Sequence, residues 1–135
     1  MDKTVELVEI EAKATQKHLR ISARKARLVV DLVRGENVEK ALNRLAYTEK
    51  AAASFVAKVI KSAAANLRDR NEEEDLDNED LFVKAIFVDE GVTLKRIQPA
   101  PMGRAHPIRK RTSHITAIVA REEIKEQDLH EDEEV

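Results

Sequence analysis

The chain has 135 residues, 42% of them apolar, with no Cys or Trp and only four aromatics (Tyr47, Phe55, Phe82, Phe87), which suits one domain with a small aliphatic core. The absence of Cys excludes a disulfide framework, a thiolate zinc site and a cysteine nucleophile and makes an intracellular address the expectation, while no apolar run approaches the roughly 20 residues of a membrane-spanning helix. Lys plus Arg number 24 against 26 Asp plus Glu, and a net charge of −2 taken alone argues against a polyanion partner.

In chain order, Ile10, Ala12 and Ala14 alternate with polar residues, which predicts a strand near Val8 to Lys17. Ser22 can cap a helix from Ala23 to Arg34 that Gly35 stops, with Ala26, Val29, Val30 and Val33 on its inner face. Asn37 can cap a short helix to about Ala46. Thr48 can cap a long one to about Arg70, whose Ala52, Phe55, Val56, Val59, Ile60, Ala63 and Leu67 keep helical spacing. Asn71 to Asp80 is acidic and reads as a solvated loop.

Leu81 to Val88 and Thr112 to Ala120 read as strands, with Val83, Phe87, Ile115 and Val119 expected to join Ile10 in the core of the sheet. Between them, the turn residues of Gln98-Pro99-Ala100-Pro101-Met102-Gly103 predict the tip of one long hairpin, about 91–114, with arms about 10 residues long, or roughly 33 Å. So long a ribbon with so few apolar residues cannot hold itself together by burial. Residues 1–121 form the predicted domain. The tail 122–135 holds eight acids against Lys125 and is expected to be disordered.

The near-zero net charge conceals segregation. Ala12 to Arg34 holds seven bases and only Asp31 as an acid; Gly91 to Arg121 holds seven bases and no acid. Such blocks point to a phosphate backbone. Arg24, Arg27 and Arg34 fall within about an 80° arc at 100° per residue, and Lys13, Lys17 and Arg20 join them from the adjoining strand. The arc alone fits an ordinary solvated helix face with Asp31 pairing Arg27 and Arg34; the added strand bases turn it into a patch. Arg109, Lys110 and Arg111 alternate faces and are followed by Thr112, Ser113 and His114, groups able to meet phosphate or ribose. Some of these charges would serve merely to keep an exposed strand from aggregating, but a run without one acid exceeds that need.

His18, His106, His114 and His130 show no HxH or HExxH spacing, so no metal is expected. A histidine-based RNA-processing enzyme using His106 or His114 is the rival from another class, although no acid in the hairpin orients either ring. A protein-protein adaptor built on the acidic segments is a third reading. No P-loop, GxSxG or GxGxxG occurs, and no cofactor is expected.

The run Arg20-Ile21-Ser22-Ala23-Arg24-Lys25-Ala26-Arg27-Leu28-Val29-Val30-Asp31-Leu32-Val33-Arg34-Gly35, followed by Asp89-Glu90-Gly91, Lys95-Arg96, Gly103-Arg104-Ala105 and Ile108-Arg109-Lys110-Arg111-Thr112-Ser113-His114-Ile115-Thr116, resembles the bacterial ribosomal protein L-twenty-two family over roughly Val5 to Arg121. The resemblance implies an α+β fold, three helices packed on a small antiparallel sheet with a long protruding hairpin. It implies a structural constituent of the large ribosomal subunit in the cytoplasm, without enzymatic activity, that binds large-subunit rRNA early in assembly and lines the peptide exit tunnel with its hairpin, where changes alter macrolide sensitivity. Its partners would be rRNA, neighbouring ribosomal proteins and the nascent peptide, with no membrane and one copy per ribosome. The rRNA-binding residues carried over are Lys13, Lys17, Arg20, Arg24, Lys25, Arg27, Lys95, Arg96, Arg104, Arg109, Lys110, Arg111, Thr112, Ser113 and His114, and the tunnel-lining tip is Gln98, Pro99, Ala100, Pro101, Met102 and Gly103. At the tip this chain is neutral at Gln98, Ala100 and Met102, where relatives commonly carry bases.

Overall fold

The computed structural model describes residues 3–71 and 76–128. In chain order it contains β1 (Lys3–Leu19), α1 (Ala23–Val33), α2 (Val38–Ala46), α3 (Ala51–Arg70), β2 (Phe82–Glu90), β3 (Leu94–Pro99), β4 (Ala105–Lys110) and β5 (Ser113–Asp128). The strands β1, β5 and β2, in that order, form one antiparallel sheet, and β3 and β4 form a separate ribbon. Three helices on a small antiparallel sheet make the expected α+β architecture.

Local chemistry sets the helix ends. The Ser22 hydroxyl accepts from the Lys25 amide at 3.4 Å, and Gly35 follows α1 with φ +76°, a conformation that disfavours a Cβ. Asn37 Oδ1 accepts from the Glu39 amide at 3.0 Å and opens α2. Thr48 does not cap the long helix as expected. Its hydroxyl instead donates to the Arg44 carbonyl at 2.8 Å, satisfying the frayed end of α2, and α3 begins at Ala51 without a side-chain cap. Twenty residues make α3 about 30 Å long.

The core lies between the helices and one face of the sheet. Ala26, Val29, Val30 and Val33 of α1 are buried with Ala52, Val56, Val59, Ile60, Ala63 and Leu67 of α3, whereas Phe55 and Ile10 are only partly covered. From β2 and β5 come Val83, Ile86, Val88, Ile115, Ala117 and Val119. Phe87, expected in this set, is 41% exposed. A register shift between Val83 and Ala85 inserts one residue, so Ile86 and Val88 take the inward positions and Phe87 turns out. The described part of the acidic loop is less solvated than expected. Leu76 is buried, and Arg68 holds the segment by donating to the Leu76 carbonyl at 2.8 Å and to Asn78 Oδ1.

The outer edge of β2 is occupied by side chains and loop backbone. Val83 N donates to the Glu36 carbonyl and Val38 N to the Leu81 carbonyl, both at 2.9 Å. Further along, the Arg34 and Arg27 guanidinium groups donate to the Ile86 and Val88 carbonyls, each at 3.0 Å. An open edge would template another strand.

Two boundaries differ from expectation. Strand β5 does not end near Ala120: it continues to Asp128, paired with β1 back to Lys3, so the first half of the tail is strand because residues 3–9 provide it with a ladder of backbone partners. Residues 129–135 lie outside the described residues. The single long hairpin divides at residues 91–93 and 111–112 into a body sheet and a ribbon of six residues per arm, about 20 Å at 3.3 Å per residue. Its register runs from Leu94 opposite Lys110 to Pro99 opposite Ala105, and a 3-10 turn at Pro101–Gly103 closes it, with Ala100 N donating to the Arg104 carbonyl at 2.7 Å.

Candidate nucleic-acid interface

The ribbon is joined to the body by a tight contact. Gly91 N donates to the Thr112 carbonyl at 2.8 Å, and the Thr112 hydroxyl donates to the Val92 carbonyl at 2.6 Å. A Cβ at Gly91 would lie 2.4 Å from that hydroxyl oxygen, so only glycine fits. Beside this root, a cleft of about 350 Å³ opens between the start of α1 and the ribbon, lined by Ser22, Arg24, Glu90, Lys95, Arg109 and Arg111 among others. Lys95 and Arg109 face each other directly across the ribbon.

Along the ribbon, Lys95, Arg96, Arg104, Arg109, Lys110 and Arg111 are all exposed, and none forms an ion pair among the described residues. The tip is equally open: Met102 is 95% exposed at φ +64° and Gly103 has φ +69°. Two successive left-handed residues reverse the chain there, a conformation easy for Gly and strained for Met. On the body, Lys13, Lys17, Arg20, Arg24 and Lys25 are exposed on β1, the β1–α1 junction and α1.

Not every expected residue faces outward. Thr112 is 6% exposed and Ser113 fully buried, because Ser113 lies between Leu19 of β1 and Glu90 of β2 in the sheet, and the Thr112 hydroxyl is committed to the ribbon root. Neither hydroxyl is presented to a nucleic acid. His114 is half-buried, and its Nδ1 accepts from the His18 amide at 3.0 Å while the two rings meet edge to face at 5.1 Å. That bond holds the β1 bulge, where His18 has φ +59°. Arg27 and Arg34 spend donors on β2 carbonyls, and Arg34 also pairs Asp31 at 2.9 Å, so only part of their guanidinium groups faces solvent.

The structure also adds cations that the sequence patterning did not single out. Lys58 and Lys61 of α3 line a groove against α2 with Lys50, and Lys58 further lines a groove that it shares with Lys17 of β1. Helical spacing in α3 was dominated by its apolar stripe, and the only signal for these lysines was their place on the opposite face. No group of His, Asp or Glu able to hold a metal occurs among the described residues.

Comparison with known proteins agrees with this geometry. Residues 14–120 match the family described as Ribosomal protein L22p/L17e. A protein of Desulforamulus reducens named large ribosomal subunit protein uL22 is 56% identical over 111 residues, 82% of this chain and 96% of its own. Proteins of the same name from Thermus thermophilus and Clostridioides difficile are 54% and 51% identical over 110 residues, each across 82% of this chain and 95% and 96% of their own. The reading of His106 and His114 as an enzyme's groups is thereby overturned, consistent with the structural task of His114 Nδ1. The chain belongs to the ribosomal protein L22p/L17e family, as a structural protein of the large ribosomal subunit in the bacterial cytoplasm and not an enzyme.

Proposed function

We propose that this protein binds large-subunit rRNA through phosphate contacts, enters the subunit early in assembly beside other ribosomal proteins, and lines the peptide exit tunnel with its ribbon tip, where Gln98, Pro99, Ala100, Pro101, Met102 and Gly103 meet the nascent peptide. One observation carries the rRNA reading. Arg27, Arg34, Arg44 and Arg68 bond to backbone carbonyls or acids of the body, whereas the exposed cations of the ribbon have no ion-pair partner among the described residues. Cations gathered in this way, with Glu90 as the one acid lining the cleft at their root, raise the local potential despite a net charge of −2. Four aromatics in the whole chain leave little for base stacking, so the contacts are to phosphate and sugar.

The neutral tip suits a different neighbour. It presents proline rings and the Met102 side chain, surfaces that pass a peptide without holding it by charge. Binding of the full chain to transcribed large-subunit rRNA over a salt series tests the phosphate reading. Neutralising six to eight phosphates predicts a slope of log K against log salt of about −4 to −7. A slope near zero overturns it. Crosslinks from residues 98–103 to a stalled nascent peptide in purified subunits test the tunnel assignment, and their absence removes it.

A further inference from the structure

We propose that the cleft at the ribbon root is an rRNA phosphate clamp that sets the angle between ribbon and body; the inference rests on the rRNA-binding reading above. The cleft gathers Arg24 from α1, Lys95 from β3, and Arg109 and Arg111 from β4 and its end, four cations against the one carboxylate of Glu90. None of the four cations has an ion-pair partner among the described residues. Lys95 and Arg109 stand directly opposite each other, a like-charge pair that destabilises a two-stranded ribbon unless an anion lies between them.

The position of this charge gives it a mechanical role. The ribbon packs on none of the helices to any large extent, and its described backbone link to the body is the Gly91 to Thr112 hydrogen bond. A two-stranded ribbon is marginally stable alone, so a ligand that bridges this root to the body adds to what holds it. Arg24 belongs to the body and Lys95, Arg109 and Arg111 to the ribbon side, so one phosphodiester group held by both sides joins the two rigid parts. With about 350 Å³ the cleft has the volume of a small ligand site and is open to a strand of RNA. Arg24 and Arg111 would supply forked donors to phosphate oxygens.

The chain has no Cys, so Met102→Cys on the tip and Asn43→Cys on α2 provide two spin-label positions, both exposed. Distance distributions between the labels are measured in the free protein and bound to transcribed large-subunit rRNA. We compare the otherwise unaltered sequence with two cleft pairs, Arg24→Gln/Arg111→Gln and Lys95→Gln/Arg109→Gln, and with Lys40→Gln/Arg70→Gln, exposed on the helices of the body away from the cleft lining, each first shown to melt cooperatively. The expected result is a distribution that narrows on RNA binding in the parent and in the body pair, but stays broad in both cleft pairs even when RNA is saturating. The salt slope of each cleft pair should also become shallower by about one for each phosphate lost. If the parent binds RNA but does not narrow, or the cleft pairs narrow as the parent does, the clamp is overturned and the rRNA reading stands. If the parent shows no salt-dependent RNA binding, the rRNA reading falls and the clamp with it.

Discussion

Single residues in this protein are held by neighbours distant in sequence, and two of them make sharp tests. Glu79 lies beside Glu39, and the repulsion and hydrogen bond between these carboxyls, with lesser contributions from burial, Asp77 and Asp80, hold its pKa above the usual 4.5. A carboxyl whose pKa is raised on folding favours the folded state while protonated, and that contribution is lost as pH rises through the folded value. Glu79→Gln should therefore melt higher than the parent at pH 7, with the gap closing at about pH 4, where Glu79 is protonated; an equal gap at both pH values would rule out the carboxylate repulsion. Gly91→Ala drives a Cβ into the Thr112 hydroxyl, so a loss of about 1–3 kcal/mol is expected. Adding Thr112→Ala removes the clashing atom. Chemical denaturation of the four species should then show the double variant more stable than the sum of the single losses predicts.

At the level of elements, the ribbon and the body have separate sources of stability. Ile97 and Met102 of the ribbon are exposed, while the buried set comes from α1, α2, α3 and the three-stranded sheet. Deleting Ile97 to Ala105 and closing the arms with a tight turn should accordingly leave the melting temperature within a few degrees of the parent, because little apolar area leaves the core. Arg24, Lys95, Arg109 and Arg111 remain, so incorporation into subunits should persist while macrolide response or peptide-dependent stalling changes. A variant that fails to fold, or that incorporates and leaves both tunnel readouts unaltered, would refute this separation. The body has its own edge problem, and α1 and the residue that caps its end solve it by lending Arg27 and Arg34 to β2 carbonyls.

For the whole molecule, the balance of charge is arranged by region. Truncation after Asp128 removes Glu131, Asp132, Glu133 and Glu134 and leaves the β1–β5 ladder complete. RNA affinity at low salt should hold or rise, since acids that oppose the polyanion are gone. Truncation after Arg121 also strips the partners of residues 3–9, and hydrogen exchange should show those amides opening much faster than in the longer form. Equal exchange in the two truncations would mean that the terminal part of the ladder adds no protection.

Periodicity, caps and charge order determined the helices, the inner face of α1, the existence of the strands, the family and the cationic blocks, because each depends on residues only a few positions apart. Ser22, Asn37 and Gly35 act on their own turn of chain, and sequence spacing alone places them. Tertiary structure decided what depends on partners far along the chain. The insertion in β2 that turns Phe87 outward, the burial of Ser113 between β1 and β2, and the pairing that makes residues 122–128 strand all follow from long-range register, which a one-residue shift inverts. The same holds for the cations: Arg24, Arg27 and Arg34 share one arc in the sequence, yet only the position of β2 and the ribbon separates Arg27 and Arg34, which cap an edge, from Arg24, which faces the cleft.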